Sequence, residues 1–398
     1  MLSLWPFIEH FVLIDLGSGY PDVNVLRTVI FLLLMAIFVK VISNSIKLQF
    51  DIFLKLFVFF SSYIIFDSLI QYKGSIHQLQ HLLDIYIFPS IVYFVLLNLK
   101  NHEYENFKKN AVVSVLAGGL LVSILGIAET VYGNNIFGTT PGKCLVEWGY
   151  YRSSGPFNDG ITYAAVLLFF LPISWYAYDA KVISKRLYIT VFTLTSVASV
   201  LHLSRACWIV FLAVFFILFG KNKKIVTTIS LFILGIGLYL YINPFVVQEV
   251  KSSDVFMNRF SDATTMITRY ELYISLLDRF LENPFAGIGF TNLSIELLPH
   301  NSYLQMLVEL GIFGFGLWIF FIFSGLCATY KQFNRNTEKN NDSVQIKKVL
   351  MCFLVIMFIV PNTIAAFNGY AMMFQYVISI ASIQYIMEIQ ADSACCEK

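Results

Sequence analysis

The chain has 398 residues, 58% of them hydrophobic and 13% charged, with 39 Phe, 22 Tyr and a formal net charge of +2. Soluble globular chains are about a quarter charged, so a disordered protein, a disulfide scaffold and an ordinary cytosolic enzyme are excluded, and the balanced charge with no basic run excludes a nucleic-acid partner. Outer-membrane barrel strands alternate over segments of roughly 10 residues; the unbroken apolar runs here are about twice that long, which predicts an all-α polytopic membrane protein.

At roughly 20 apolar residues per crossing, the chain reads as a single integral membrane domain, 1–398, with twelve spans. They lie near 2–16, 23–42, 51–70, 80–98, 111–131, 160–178, 187–203, 206–219, 225–243, 301–329, 348–367 and 371–388. The first is short and reads as half-embedded. No basic n-region with a small-residue cleavage site precedes it, so no cleaved signal peptide is expected. The run 187–219 would be about 50 Å long as one helix. Ser204-Arg205 would then sit in mid-membrane, where a charge costs at least ~2.5 kcal/mol. Two short helices meeting at Ser204-Arg205 are expected instead. The six cysteines show neither C-x-x-C pairing nor a Cys/His cluster, so no disulfide framework and no metal site are expected. Cys395-Cys396 forms no prenylation box; palmitoylation there stays open.

With both termini cytoplasmic, the inner side receives 18 basic residues and the outer side 9, which agrees with the positive-inside rule. The outer set is Arg27, Lys73, Lys143, Arg152, Arg205, Lys251, Arg259, Arg269 and Arg279. Six of these nine are Arg, against two of eighteen inside. Arginine is the better bidentate binder of phosphate, so the outer arginines are candidates for phosphate recognition.

Two outer loops exceed turn length, 132–159 and 244–300, and loops this long without a function are uncommon. In the second, Thr268-x-x-Glu271 is a capping box opening the segment ITRYELYISLLDRFLEN. Leu272, Leu276, Leu277, Phe280 and Leu281 share one helical face, and Asn283-Pro284 stops the helix. This predicts an amphipathic helix, either lying on the outer membrane surface or capping the bundle.

His300 begins the tenth span in PHNSYLQMLVELGIFGFG. Its titration range suits a general base; it could equally be an interfacial residue that only caps the helix. Gly311 lies eleven residues on, within about 20° of the same helical face, and would floor a groove beneath His300. Arg205 stands in HLSRACW with His202 three residues before it. Its anionic partner is a carboxylate such as Glu129 or Glu309, or a substrate phosphate. Arg152, in YYRSSGPFNDG, is either a surface residue before a helix start or, with Tyr150 and Tyr151 beside it, part of a sugar-binding face, with Ser153, Ser154 and Gly155 offering backbone N–H donors. Arg269 falls in the first turn of the predicted helix, where the dipole disfavours cations, and such a locally unfavourable choice hints at function. Arg279 fits a snorkelling residue better. Glu309 lies opposite His300 on the tenth span and reads as a structural pair or a hydrogen-bonded acid. No Walker A loop, G-x-G-x-x-G, G-x-S-x-G or H-E-x-x-H is present.

HNSYLQMLVELGIFGFG resembles the His-Asn-x-x-Leu … Glu-x-Gly-x-x-Gly signature of the O-antigen ligase/polymerase superfamily. RYELYISLLDRFLENPFAGIGF is similar to that family's Arg-rich outer loop ending in Asn-Pro-x-x-Gly-x-Gly. LSRACW resembles its Ser-Arg turn, and RSSGPFNDGITYAA its Arg-x-Ser-Gly approach to a span. The four segments follow the family's order between 152 and 316. The resemblance implies a GT-C-type bundle in the bacterial inner membrane, with its active site facing the periplasm. It implies transfer of a glycan from undecaprenyl diphosphate to an acceptor hydroxyl, on lipid A–core or on a second lipid-linked glycan, with inversion and without cofactor or metal. It assigns acceptor activation to His300 and diphosphate binding to Arg205 and Arg269; beside these, Arg152 is a candidate further diphosphate contact, and Asn301, Gly311, Glu309 and Arg279 are candidate supporting residues. Membrane lipids complete the expected partners.

The superfamily holds ligases, which attach finished O-antigen, and polymerases, which join repeat units of O-antigen, capsule or exopolysaccharide. The His-x₁₀-Gly spacing from His300 to Gly311 is the ligase pattern; eleven residues after Arg259, Arg269 and Arg279 stand Tyr270, Phe280 and Phe290, so the polymerase pattern Arg-x₁₀-Gly is missing. A polysaccharide transporter would show inverted repeats and midplane breaks. No repeat is found.

Overall fold

The computed structural model describes residues 4–8, 12–14, 23–43, 48–71, 76–99, 106–133, 136, 146–147, 150–151, 153–157, 160–202, 204–220, 264–293, 301–337, 343–363 and 370–396. A short helix α1 (Trp5–Ile8) precedes strand β1 (Val12–Ile14), which pairs antiparallel with β2 (Val23–Asn24). Helices α2 (Val25–Ile42) and α3 (Ile52–Gln71) follow. Next, α4 (Ile76–Leu82) runs through a π-helical segment (Leu83–Ile87) into α5 (Phe88–Leu99). After α6 (Phe107–Tyr132), the strands β3 (Val146–Glu147) and β4 (Tyr150–Tyr151) form a small hairpin. The chain continues as α7 (Gly160–Asp179), α8 (Lys185–Leu201), α9 (Arg205–Phe219), α10 (Thr264–Glu282), α11 (Ser302–Thr337), α12 (Ser343–Thr363) and α13 (Tyr370–Cys396).

Hydropathy alone explains why these segments are helical: inside a bilayer every backbone group must be satisfied within the segment. Among the described residues eight segments are long and apolar enough to cross a membrane, in α2, α3, α4 through α5, α6, α7, α11, α12 and α13. With 17 and 15 residues, α8 and α9 are shorter than a full crossing. The centre of the bundle is α7 against α13. Every residue from Tyr163 to Ala177 is buried, as is every residue from Ala371 to Met387. Around them α2 and α3 expose Phe31, Leu32, Phe38, Phe59 and Phe66, the outward face expected of helices apolar all round in contact with lipid.

Polar side chains stitch the helices together. The Trp318 Nε1–H donates to Tyr86 Oη at 2.9 Å, the Tyr385 hydroxyl to the Leu96 carbonyl at 2.6 Å and the Tyr376 hydroxyl to the Ile322 carbonyl. Phe53, Phe60, Tyr86 and Phe321 form an aromatic cluster between α3, the π-helical segment and α11.

The predicted spans from 23–42 to 206–219, and from 301–329 onward, coincide with helices. The one near 225–243 lies outside the described residues. The first does not hold: within 2–16, residues Val12–Ile14 are a strand. Glu9, His10 and Asp15 interrupt the apolar run, and the β-branched Val12 and Ile14 find a partner strand in Val23–Asn24. Arg27, one of the outer arginines, is already engaged, its Nη2 2.6 Å from Asp84 Oδ1. The capping box does not start its helix either. α10 begins at Thr264, so Arg269 sits in the second turn, where the dipole has faded. The predicted apolar face of α10 splits: Leu276 is buried, while Leu277 and Leu281 are 46% and 69% exposed.

Candidate functional site

Two structural knots occupy the segments singled out by sequence. The first is the break between α8 and α9. His202 caps the end of α8, Ser204 is extended at φ −86°, and α9 restarts at Arg205. The Trp208 indole N–H reaches back to the Val200 carbonyl at 3.0 Å, clamping the two helices across the break. His202 is buried, and its Nδ1 lies 3.1 Å from the Ser153 carbonyl oxygen. A carbonyl only accepts, so Nδ1 carries the proton. Gly160 makes room for this contact; a Cβ there would lie 2.6 Å from His202 Cε1.

The loop that His202 meets is organised by Glu129, a fully buried carboxylate on α6. Ser153 Oγ donates to Glu129 Oε2 at 2.7 Å, the Gly155 N–H to the same oxygen at 2.9 Å, and the Ile136 N–H to Oε1 at 3.3 Å. Gly155 has φ +54°, and a Cβ on it would strike the Tyr163 ring. The Gly155 N–H, one of the backbone donors read from the sequence as open, is therefore spent inside the protein, and so is the Ser153 hydroxyl. The sequence signal for this is an intramembrane Glu129 and a Ser-Ser-Gly turn 24–26 residues later, which no local window joins.

The second knot is a break inside α11. Gly311 is non-helical, at φ +63° and ψ −174°, a conformation essentially restricted to glycine. The backbone groups this frees bond to the segment following α10. Ile288 N–H donates to the Val308 carbonyl at 3.1 Å and Gly289 N–H to the Glu309 carbonyl at 2.8 Å. In return Ile312 N–H donates to the Pro284 carbonyl at 2.9 Å and Phe313 N–H to the Phe285 carbonyl at 3.4 Å. The Tyr63 hydroxyl of α3 covers the Leu310 carbonyl at 3.0 Å. His300, which the predicted helical-face relation would join to Gly311, lies outside the described residues, and the helix does not run through Gly311. Periodicity could not reveal this, since Gly311 sits in an unbroken apolar run.

Glu309 completes the knot. It is fully buried; its Oε2 accepts from the Thr291 N–H at 2.9 Å and its Oε1 from Gln305 Nε2 at 2.8 Å. Thr291 has φ +59°, rare for a β-branched residue. Sequence reading missed both Thr291 and Tyr63. Above Glu309, Asn301 caps α11 through Oδ1, which accepts from Leu304 N–H at 3.0 Å, and its Nδ2 is 3.4 Å from Asn362 Oδ1. The Tyr303 hydroxyl donates to the Met357 carbonyl at 2.7 Å. The start of α11 is thus fastened to α12.

Arg279 is exposed in the last turn of α10, where a cation complements the helix dipole. His300, Arg152 and Arg259 lie outside the described residues, as do the side chains of Arg205 and Arg269. The structure thus describes the two scaffolds next to these residues, with Arg205 opening α9 and Asn301 following His300. Among the described residues no group of three or more His, Cys, Asp or Glu side chains could hold a metal ion.

The family model described as O-Antigen ligase matches residues 190–319. That range covers the break between α8 and α9, all of α10 and the break at Gly311. None of the curated proteins compared with the chain matches it.

Proposed function

We propose that this multi-pass membrane protein, whose residues 190–319 match the family model described as O-Antigen ligase, is an O-antigen ligase. In this reading it transfers a glycan from undecaprenyl diphosphate to a hydroxyl of lipid A–core at the periplasmic face of the bacterial inner membrane. The observation that carries the reading is the pairing of the four sequence segments. The segment containing Asn283-Pro284 and Gly289 is knit by backbone hydrogen bonds to Glu309–Phe313. The Ser153–Gly155 turn is tied through His202 to the break that starts α9 at Arg205.

The chemistry is displacement at the anomeric carbon with inversion. His300 takes the proton of the acceptor hydroxyl as the new glycosidic bond forms. Arg205 and Arg269, with Arg152, hold the diphosphate and stabilise the negative charge it gains as the old bond breaks. Diphosphate is a good leaving group, so activation by nucleotide is not needed. The knot around Glu309 and Thr291 fixes the chain shortly before His300, and the Asn301 cap fixes it immediately after.

The test is a gel of lipopolysaccharide from a strain deleted for the gene, with the lipid-linked pool analysed beside it. Bare lipid A–core, with long polymer stranded on undecaprenyl diphosphate, supports ligase. Core carrying a single repeat unit would overturn it in favour of an O-antigen polymerase. An unchanged ladder would move the activity to another polymer, such as capsule or exopolysaccharide.

A further inference from the structure

α10 carries three faces. At about 100° per residue, Leu272, Leu276 and Phe280 fall on one, and they pack in a cluster with Leu304 and Val308 of α11. Glu271, Asp278 and Glu282 fall on a second and are exposed. Tyr270, Ile274, Leu277 and Leu281 fall within about 60° of one another on the third. This third face is apolar yet open, from 45% exposed at Ile274 to 69% at Leu281. Phe285, 61% exposed just past the helix, prolongs it. A contiguous apolar stripe on a helix that is not itself a membrane span calls for a partner.

The part of α11 that α10 packs against shows how α10 lies. Tyr303 and Trp318 would stand about 22 Å apart on a straight helix, yet their ring centroids are 5.5 Å apart. α11 therefore folds sharply at Gly311. The segment before the fold is fastened to α12 at its start, through the Tyr303 hydroxyl and the Met357 carbonyl. It is fastened to α3 at its end, where the Tyr63 hydroxyl reaches the Leu310 carbonyl. It runs across the bundle between two spanning helices instead of rising from it. The rest of α11 suffices as the span, since Ile312–Asn334 is about 35 Å of helix and a hydrocarbon core is about 30 Å thick. Two successive turns of each helix, at Leu272 and Leu276 and at Leu304 and Val308, share one cluster. α10 thus lies alongside this segment, across the bundle and near the plane of the membrane.

The open stripe ends on lipid. Phe285 stacks on Phe313, with ring centroids 5.8 Å apart. Ile312 and Phe313 open the spanning part of α11 and are 50% and 63% exposed, and Phe320 further along is exposed too, so this side of the span meets acyl chains. The stripe of α10 is continuous with it, and the acidic row stands about a quarter turn away round the helix. We propose that α10 lies in the membrane interface on the side where α11 begins. Tyr270, Ile274, Leu277, Leu281 and Phe285 are seated against lipid, and Glu271, Asp278 and Glu282 reach water. The leucine-rich face expected from the sequence thus divides into one row on the protein and another on the membrane, which Tyr270 and Ile274 join. This placement holds whichever reaction the protein performs.

The test uses the parent chain in vesicles of phosphatidylethanolamine and phosphatidylglycerol. Two photoactivated carbene reagents are applied separately, one that partitions into lipid and one confined to water. Mass spectrometry of peptides covering 270–285 reads the labelled side chains. The lipid-borne reagent should mark the five stripe residues several-fold over the water-borne one, the reverse should hold at the acidic row, and neither should mark Leu276. In the double variant L277E/L281E, lipid-borne labelling of Tyr270 and Ile274 should fall several-fold while Leu276 stays unmarked, as expected of a helix lifted from lipid but still packed on α11. The parent chain alone decides. Water-borne labelling of the stripe as strong as that of the acidic row would overturn the membrane contact. Labelling of the stripe by neither reagent would also overturn it, and a dimer seen by mass photometry would then assign the stripe to a second copy of the chain.

Discussion

Gly287 and Gly311 meet backbone to backbone. A Cβ on Gly287 would lie 2.5 Å from the Gly311 nitrogen, and one on Gly311 would lie 2.3 Å from the Phe285 carbonyl oxygen. Both have positive φ, +75° and +63°. Two chain segments can exchange hydrogen bonds this closely only where neither carries a side chain.

Gly311→Ala should therefore damage the fold beyond an ordinary surface change. The backbone conformation alone costs about 1–3 kcal/mol for a residue with a Cβ. The clash is with backbone, which cannot swing aside as a side chain would. Gly316, with open space around its would-be Cβ, is the matched control. Thermal melting of the purified variants in detergent should show a clear loss for Gly311→Ala and little for Gly316→Ala. Equal melting would mean that the break in α11 does not depend on its glycine.

Glu309 is the second test of the same knot. Glu309→Ala leaves the Thr291 N–H and the Gln305 amide buried without an acceptor, at about 1–3 kcal/mol each. Glu309→Gln keeps one carbonyl oxygen and should lose less. Hydrogen exchange of peptides covering 288–293 reads this directly. Faster exchange in the Ala variant, partly recovered in Gln, is expected; unchanged exchange would mean the segment is held by Ile288 and Gly289 alone.

Glu129→Ala should likewise release the Ser153–Gly155 turn, since the Ser153 hydroxyl and the Gly155 N–H lose the carboxylate oxygen that both donate to. His202 would then lose the fixed Ser153 carbonyl. Faster exchange in 153–157 and at the start of α9 is expected, with weaker donor binding if Arg205 acts as proposed. Exchange confined to 153–157 would uncouple the turn from the break.

Much of this was legible in the sequence. Hydropathy located the helices because the membrane imposes a single solution on a long apolar segment. Ser204-Arg205 marked a break because a charge in mid-membrane is expensive, and Asn283-Pro284 marked a stop because proline lacks the donor a helix needs. What escaped was long-range. The break at Gly311 exists because residues 284–289 offer replacement hydrogen bonds, and no local window contains both partners. The strand at Val12–Ile14 likewise depends on Val23–Asn24, and the start of α10 lies upstream of a capping box that was complete on its own.

Loss of the first span changes the expected topology. If α2 keeps Lys40 on the cytoplasmic side, the residues before it face outward, opposite to the sequence-based expectation of a cytoplasmic N-terminus. Alkaline phosphatase, active only outside, should be active when fused to the N-terminus, and a fusion at residue 45 should be silent. The reverse pattern would restore a crossing before α2.

The catalytic proposal rests on His300, and its neighbours make it testable without confusion from misfolding. Asn301 caps α11 with its own side chain, and Tyr303 anchors the first turn to Met357. His300→Ala touches neither bond, so the melting temperature should stay within a degree or two of the parent. Transfer should fall by about 10²–10⁴-fold if the imidazole is the general base. Asn301→Ala is the contrast: it removes the cap, at about 1 kcal/mol, and should lower stability while leaving the base intact. Transfer would be measured with purified lipid-linked glycan and acceptor across pH. In the parent the rate should rise through the histidine range as the imidazole loses its proton. That rise should persist in Asn301→Ala and vanish in His300→Ala. Full activity in His300→Ala, or a pH profile unchanged by its loss, would remove His300 from the chemistry and send the search for a base to the other groups near the start of α11.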